Sequence, residues 1–192
     1  MSKVVVIVNL TLDGVMQSPA GPDEDRRGGF EHGGWAASYA AMEATGNTFA
    51  SAGALLFGRR TYENFYAFWP KQTHSPYTEF LNTIPKYVAS TTLKEPLPWS
   101  NSTLLQGDAA QAVSQLKQQP GKDLLIMGSG ELIQSLMRAN LIDDYVLLIH
   151  PLVLGTGRRL FPDGGAAATL RLVATSTTDK GVVIATYQPA SQ

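Results

Sequence analysis

From Asp123 to Phe161 the chain reads Asp-Leu-Leu-Ile-Met-Gly-Ser-Gly-Glu-Leu-Ile-Gln-Ser-Leu-Met-Arg-Ala-Asn-Leu-Ile-Asp-Asp-Tyr-Val-Leu-Leu-Ile-His-Pro-Leu-Val-Leu-Gly-Thr-Gly-Arg-Arg-Leu-Phe. Leu124 to Met127 is a short, continuous apolar run, the pattern of a strand buried on both faces. Gly128-Ser129-Gly130 breaks the run. Leu132, Ile133, Leu136, Met137 and Leu141 then recur at helical spacing. Tyr145 to Ile149 reads as a second buried strand. A strand, a glycine turn and a helix leave free backbone N–H groups and the positive helix end at the strand tip, an arrangement suited to an anion such as a cofactor phosphate. Such turns also join strands to helices without binding anything. The turn is not a Rossmann fingerprint, because the third glycine would fall at Ile133. It is not a P-loop either, since no Gly-Lys-Ser/Thr follows.

Outward from this stretch, strand and helix patterns alternate. Val4 to Leu12 is nearly all apolar and β-forming, as in a central strand, and Asp13-Gly14 ends it. Residues 17–34 carry Pro19, Gly21, Pro22, Asp23, Asp25, Arg26, Arg27, Gly28 and Gly29, a long polar loop of the kind that often has a function. The spacing predicts a helix from Trp35 to Phe49 with Trp35, Tyr39, Met42 and Glu43 on its inner face. Ala54 to Phe57 is the next strand. Gly58-Arg59-Arg60-Thr61 opens a helix that Pro70 stops. Residues 71–85 read as a loop with one helical turn near Phe80. Lys86 to Ser90 and Thr103 to Gln106 are strands, and Asp108 N-caps a helix over 109–118. Leu170–Ala174 and Val182–Thr186 form a C-terminal hairpin around Thr178-Asp179-Lys180-Gly181. The expected fold is a single α/β domain over 1–192, with a mostly parallel sheet and an antiparallel end.

Composition narrows the function. The chain has 192 residues, 44% hydrophobic and 16% charged, which is ordinary for a globular domain. A net charge of −1 provides no basic field for nucleic acid or an anionic membrane. Cysteine is absent, which excludes disulfides, thiolate metal sites and thiol catalysis. His32, His74 and His150 lack zinc-site spacing, so no metal is expected. The short N-terminal strand pattern is not a signal peptide, and no apolar run reaches membrane-spanning length; a cytoplasmic protein is expected.

Three strand tips carry anion-friendly groups: residues 58–61, 90–92 and 128–131. Arg59 and Arg60 oppose the helix dipole unless an anion lies between, and arginine suits bidentate phosphate binding. Solvated arginines pointing away from the axis are the plain alternative. In a parallel sheet the tips share one edge, which suits an elongated ligand with several phosphates, such as a dinucleotide.

Leu-Thr-Leu-Asp-Gly at 10–14, Gly-Arg-Arg-Thr-Tyr at 58–62, Gly-Ser-Gly-Glu-Leu at 128–132 and the run 141–161 together resemble the dihydrofolate reductase superfamily. The nearest likeness is to the C-terminal reductase domain of bifunctional riboflavin-biosynthesis deaminase/reductases and its stand-alone relatives. The likeness covers nearly the whole chain, without the deaminase half. It implies a dihydrofolate reductase-like mixed sheet of about eight strands with flanking helices, and NADPH across the strand tips. By that likeness Gly58, Arg59, Arg60 and Thr61 would meet the adenosine phosphates, and Ser90 and Thr91 the 2′-phosphate. Met127, Gly128, Ser129, Gly130, Glu131 and Leu132 would hold the pyrophosphate and nicotinamide, and Leu12 and Asp13 would border the ring. The family usually has Gly-Gly where Gly128-Ser129 stands, and dihydrofolate reductases carry a cis peptide there.

The implied activity is an NADPH-dependent reduction of a small polar heterocycle or carbonyl. Pterin/folate and pyrimidine-ribose-phosphate acceptors compete. A non-catalytic NADP(H)-binding or sensor protein and a flavin-binding module are the other readings. Reduction needs a proton donor, and Glu43 and Asp13 are the candidate acids. A solvated helix glutamate and an Asp-Gly turn residue are the plain alternatives. Arg158 could bind an anionic substrate. Trp35 and Tyr39 could stack on a flat one or serve in the core. A homodimer is expected from the apolar sheet edges of this family.

Overall fold

The computed structural model describes residues 1–73 and 76–190; His74 and the side chains of Glu43, Asn47 and Pro76 lie outside the described set. The strands are β1 (Val4–Thr11), β2 (Ala52–Gly58), β3 (Lys86–Ala89), β4 (Ser102–Leu105), β5 (Asp123–Met127), β6 (Asp144–His150), β7 (Leu170–Thr177) and β8 (Val183–Pro189). The α-helices are α1 (Gly46–Ser51), α2 (Arg59–Phe68), α3 (Pro76–Thr83), α4 (Ala109–Gln118) and α5 (Gly130–Arg138).

All eight strands join one sheet in the order β4-β3-β2-β5-β1-β6-β8-β7. β1 pairs in parallel with β5 and β6, β2 with β3 and β5, and β3 with β4. Only the pairings of β8, with β6 and with β7, are antiparallel. The apolar run of β1 is buried on both faces because side chains alternate across a strand. Val5 and Ile7 face one apolar layer with Leu55, Phe57, Tyr62 and Leu81. Val4, Val6 and Val8 face the other with Ile126, Val113, Ile133 and Leu136. Helices therefore cover both faces of the sheet, and the C-terminal tips of the parallel strands share one edge.

Two expected elements differ. The region from Trp35 to Phe49 is not one helix. Two 3-10 turns, Ala37–Tyr39 and Ala41–Thr45, precede the short α1, and Ala40 between them is left-handed at φ 50°. Tertiary contacts break the periodicity: Trp35 and Tyr39 both pack edge-on against the buried His150. The second difference lies in residues 71–85, where α3 is a full helix anchored by Leu81, with Ile84 buried just beyond it. Asp108 does cap α4, its Oδ1 accepting from the Gln111 N–H at 2.9 Å.

Lys86 is buried at the start of β3. Its ammonium donates to the carbonyls of Ile84 (2.7 Å) and Ser100 (3.0 Å) and sits 4.7 Å from the Trp99 ring centroid. Burial pushes its pKa down to about 8. No described helix is long and apolar enough to cross a membrane. Leu136 is fully buried in the β1–β5–α5 layer. Leu136→Ala should cost about 2–5 kcal/mol, read as a lowered midpoint in guanidinium unfolding.

Candidate functional site

A cleft of about 1220 Å³ runs along the strand tips. Its floor is made by Gly58, Ala89, Leu105, Met127 and the β1 residues Ile7 to Asn9. The β2 and β5 tips meet at its centre. Ser129 could cap α5, but its hydroxyl instead accepts the Gly58 N–H at 3.0 Å. Neither α2 nor α5 receives a side-chain cap at its N-terminus. Two helices therefore direct uncapped first-turn N–H groups toward neighbouring strand tips, leaving donors for an anion.

The turn is tight. Gly128 (φ 67°) and Ser129 (φ 58°) are both left-handed, a conformation that costs a serine about 1 kcal/mol. The Gly128–Ser129 peptide is trans; the one cis bond among the described residues is Glu95–Pro96. A Cβ added at Gly130 would stand 2.8 Å from the Met16 sulfur, so the loop after β1 is closely seated on this turn. Uncapped helix ends, the glycine turn and surrounding arginines form a cradle that fits a dinucleotide's phosphates.

Arg59, Arg60 and Thr61 line the cleft at the start of α2. Arg59 pairs with Glu63 at 3.2 Å, and Arg60 with Glu131 at 3.3 Å. Glu131 also stands 3.8 Å from Arg27 of the facing loop. Leu132 lines the wall, and the Ser90 hydroxyl accepts from the Thr92 and Leu93 N–H groups to fix the β3 tip, with Thr91 exposed beside it. Thus the expected cofactor residues from 58–61, 90–91 and 127–132 line one cleft. Leu12 does not join them; it is 65% exposed on the far side of the β1 turn.

Neither expected acid is shown in the cleft. The Asp13 carboxylate accepts from the Thr11 hydroxyl (2.6 Å), Gly155 N–H (2.8 Å) and Leu154 N–H (3.2 Å). Led by the Thr11 bond, these hold Asp13 below the usual carboxylate range, the reverse of what a proton donor needs. Asp13 fastens the β1 turn to the 154–155 segment. The side chain of Glu43 falls outside the described residues. Trp35 and Tyr39 do not line the cleft: the Trp35 indole donates to the Gln17 carbonyl at 2.8 Å, and both rings flank His150 at 5.2 and 5.0 Å. Arg158 does line it, and its guanidinium forms no hydrogen bond or ion pair with a described residue.

The loop over residues 17–34 supplies groups that sequence reasoning did not single out. Buried Gln17 organises it, its amide donating to the Asp25 and Arg27 carbonyls and its oxygen accepting the Arg158 N–H. Glu24 and Asp25 are thereby set on the cleft wall. Burial pulls Asp25 upward, but its paired bonds to Arg27 outweigh this and hold it below its ordinary value. The polar length of the loop was the available signal; it marked the segment but not the residue. Among the described residues no group of three or more His, Asp or Glu side chains could hold a metal ion.

Behind the wall, His150 is fully buried, with Nε2 2.9 Å from Asn9 Oδ1 and Nδ1 without a partner. Burial pushes its pKa down to about 4.

The sheet order, with its antiparallel penultimate strand, defines a dihydrofolate reductase-like fold. Residues 2–184 match the RibD C-terminal domain family, and the chain belongs to that family. It is 31% identical over 137 residues to the uncharacterized protein YyaP of Bacillus subtilis (strain 168), across 69% of this chain and 72% of that one. Its structure is similar to a pyrimidine reductase-like protein of Corynebacterium diphtheriae, with TM-score 0.67 and 12% identity over 100% of this chain and 93% of that one. It is also similar to dihydrofolate reductase from Enterococcus faecalis complexed with NADP(H), with TM-score 0.59 and 12% identity over 98% and 97% of the two chains.

The His150 geometry has a pH consequence. Its pKa lies below that of the unfolded chain, so between about pH 6.5 and 4 the unfolded state binds more protons. Stability from this group is complete above pH 6.5 and falls as pH drops, by roughly 3 kcal/mol in all. Denaturation midpoints measured across that range should show the decline, and His150→Gln should flatten it.

Proposed function

We propose that this protein is an NADPH-dependent reductase that transfers a hydride to a C=N or C=O group of a small polar heterocycle. The observation that carries the reading is the pair of uncapped helix N-termini at the β2 and β5 tips, ringed by Arg59 and Arg60. The phosphates of a dinucleotide would complete both helix ends and reverse the unfavourable placement of two cations in the first turn of α2. Family membership and the fold shared with reductases support the same conclusion.

When bound, the dihydronicotinamide supplies the hydride. The protein's part is to bind, orient and exclude water. Arg59, Arg60 and Thr61 would take the adenosine phosphates, and the 128–132 turn the pyrophosphate. Thr91 and the β3 tip, one strand beyond β2, would favour a 2′-phosphate. Met16, Met127 and Ile7 line the inner floor and would keep the reacting ring dry. Arg158 is available for an anionic group on the acceptor.

NADPH should bind more tightly than NADH in fluorescence titrations. Arg59→Ala with Arg60→Ala should weaken NADPH binding by about tenfold or more, as expected for two charge-assisted contacts. Equal, weak binding of both nucleotides by the wild type would overturn the reading. Tight NADPH binding with no acceptor reduced would favour a sensor instead.

A homodimer is part of the same proposal. β7 ends the sheet, its outer edge has no strand partner among the described residues, and Leu172 and Val173 are 49% and 46% exposed. An unpaired apolar edge is a natural isologous contact. Sedimentation should give twice the chain mass, and Val173→Lys should shift the protein toward monomer.

A further inference from the structure

Reducing a C=N or C=O group needs a proton as well as a hydride, and among the described residues the cleft is lined by five carboxyl side chains from which it could come: Glu24, Asp25, Asp108, Glu131 and Asp163. Four are paired, engaged in a helix cap or open to solvent. Asp25 is ion-paired with Arg27. Asp108 caps α4 through Gln111. Glu131 lies between Arg27 and Arg60. Asp163 is exposed.

Glu24 differs from all four. It is half-buried in the cleft wall and pairs with no cation among the described residues. Its Oε2 accepts from the backbone N–H groups of Ala20 (2.9 Å) and Gly21 (3.3 Å), which fixes the rotamer. Oε1 accepts no hydrogen bond from a described residue, and the residue lines the cleft. The Asn64 amide of α2 donates to the Glu24 carbonyl at 2.9 Å, locking the residue against the helix that carries Arg59 and Arg60. Asn64, Phe65, Trp69 and Met42, which line the same cleft, are uncharged.

We propose that Glu24 is the proton donor of the reduction, a role that rests on the reductase reading above. The hydride from the dihydronicotinamide adds to the electrophilic carbon of the acceptor. The π pair of the C=N or C=O bond moves onto nitrogen or oxygen. That atom takes the proton from Glu24 Oε1, so an N–H or O–H bond forms as the carboxyl O–H breaks. The acceptor is reduced, the nicotinamide leaves oxidised, and water reprotonates the carboxylate.

The environment favours the neutral form of this carboxyl over the charged one. Burial raises the Glu24 pKa above its ordinary value. The Ala20 and Gly21 N–H groups offset only part of this, and the neighbouring Asp25 charge adds to it. Arg27 is turned onto Asp25, and Asn64 from α2 is neutral.

The test uses the full-length protein and Glu24→Gln. With glutamate side chains labelled with carbon-13, the cofactor-free wild type should show one carboxyl titrating above the usual glutamate range of about 4.3, and this signal should vanish in Glu24→Gln. NADPH affinity should be unchanged within twofold, since Glu24 is not among the residues assigned to the phosphates. With dihydrofolate and a phosphoribosylamino-uracil as acceptor probes, Glu24→Gln should lower kcat by about 100-fold or more. The fall of kcat with rising pH should disappear, and Glu24→Asp should restore part of the rate. Wild-type turnover that Glu24→Gln leaves intact, or a carboxyl signal in the ordinary range, overturns this assignment while leaving the reductase reading in place. NADPH binding with neither probe reduced by the wild type removes the reductase reading and this role with it.

Discussion

The burial of β1 between β5 and β6 is the constraint on which the rest depends. Val4, Val6 and Val8 face one layer of helices, and Val5 and Ile7 face the other, so each face must be covered. With both faces covered, neighbouring strands enter through helical crossovers and run parallel. Parallel strands place their C-terminal ends on one edge, and each following helix begins there. The cleft is therefore a consequence of the packing, and whatever binds in it meets helix N-termini before it meets side chains.

Within that frame, one hydroxyl leaves a helix end uncapped. Ser129 bonds to Gly58 across the β2–β5 junction and so does not cap its own helix. The bond links two adjacent tips and offsets the left-handed backbone at Ser129. The loop after β1 then closes over the turn, seated by Met16 against Gly130 and organised by Gln17. Asp13 fixes the base of that loop instead of facing a substrate. A residue that reads as chemistry from its place after a strand is here a structural fastener.

The parallel strands, α4 and its cap, the glycine turn and the C-terminal hairpin were all legible in the sequence, because each has a local cause. Apolar runs, a capping aspartate and paired alternating segments act over a few residues. The 35–49 region and α3 were not legible to the same degree. Helical spacing of Trp35, Tyr39 and Met42 is real, but the rings are committed to His150, and the backbone breaks at Ala40 to let them reach it.

The candidate site divides along the same line. The sequence by itself determined that three strand tips carry anion-friendly groups, and that those tips share one edge, since residue order and apolar pattern fix strand direction. Only the tertiary structure decided which acids line the cleft and what each is bonded to. Glu24 lies in a polar loop with no periodicity, and Asp13 and Asp25 are chemically its equals in the sequence. What separates them is contact across long sequence distance: Gly155 and Leu154 on Asp13, Arg27 held in place by Gln17 for Asp25, and Asn64 on the Glu24 backbone. Burial and hydrogen bonding set a carboxyl's protonation, and both exist only once the loop is folded against α2.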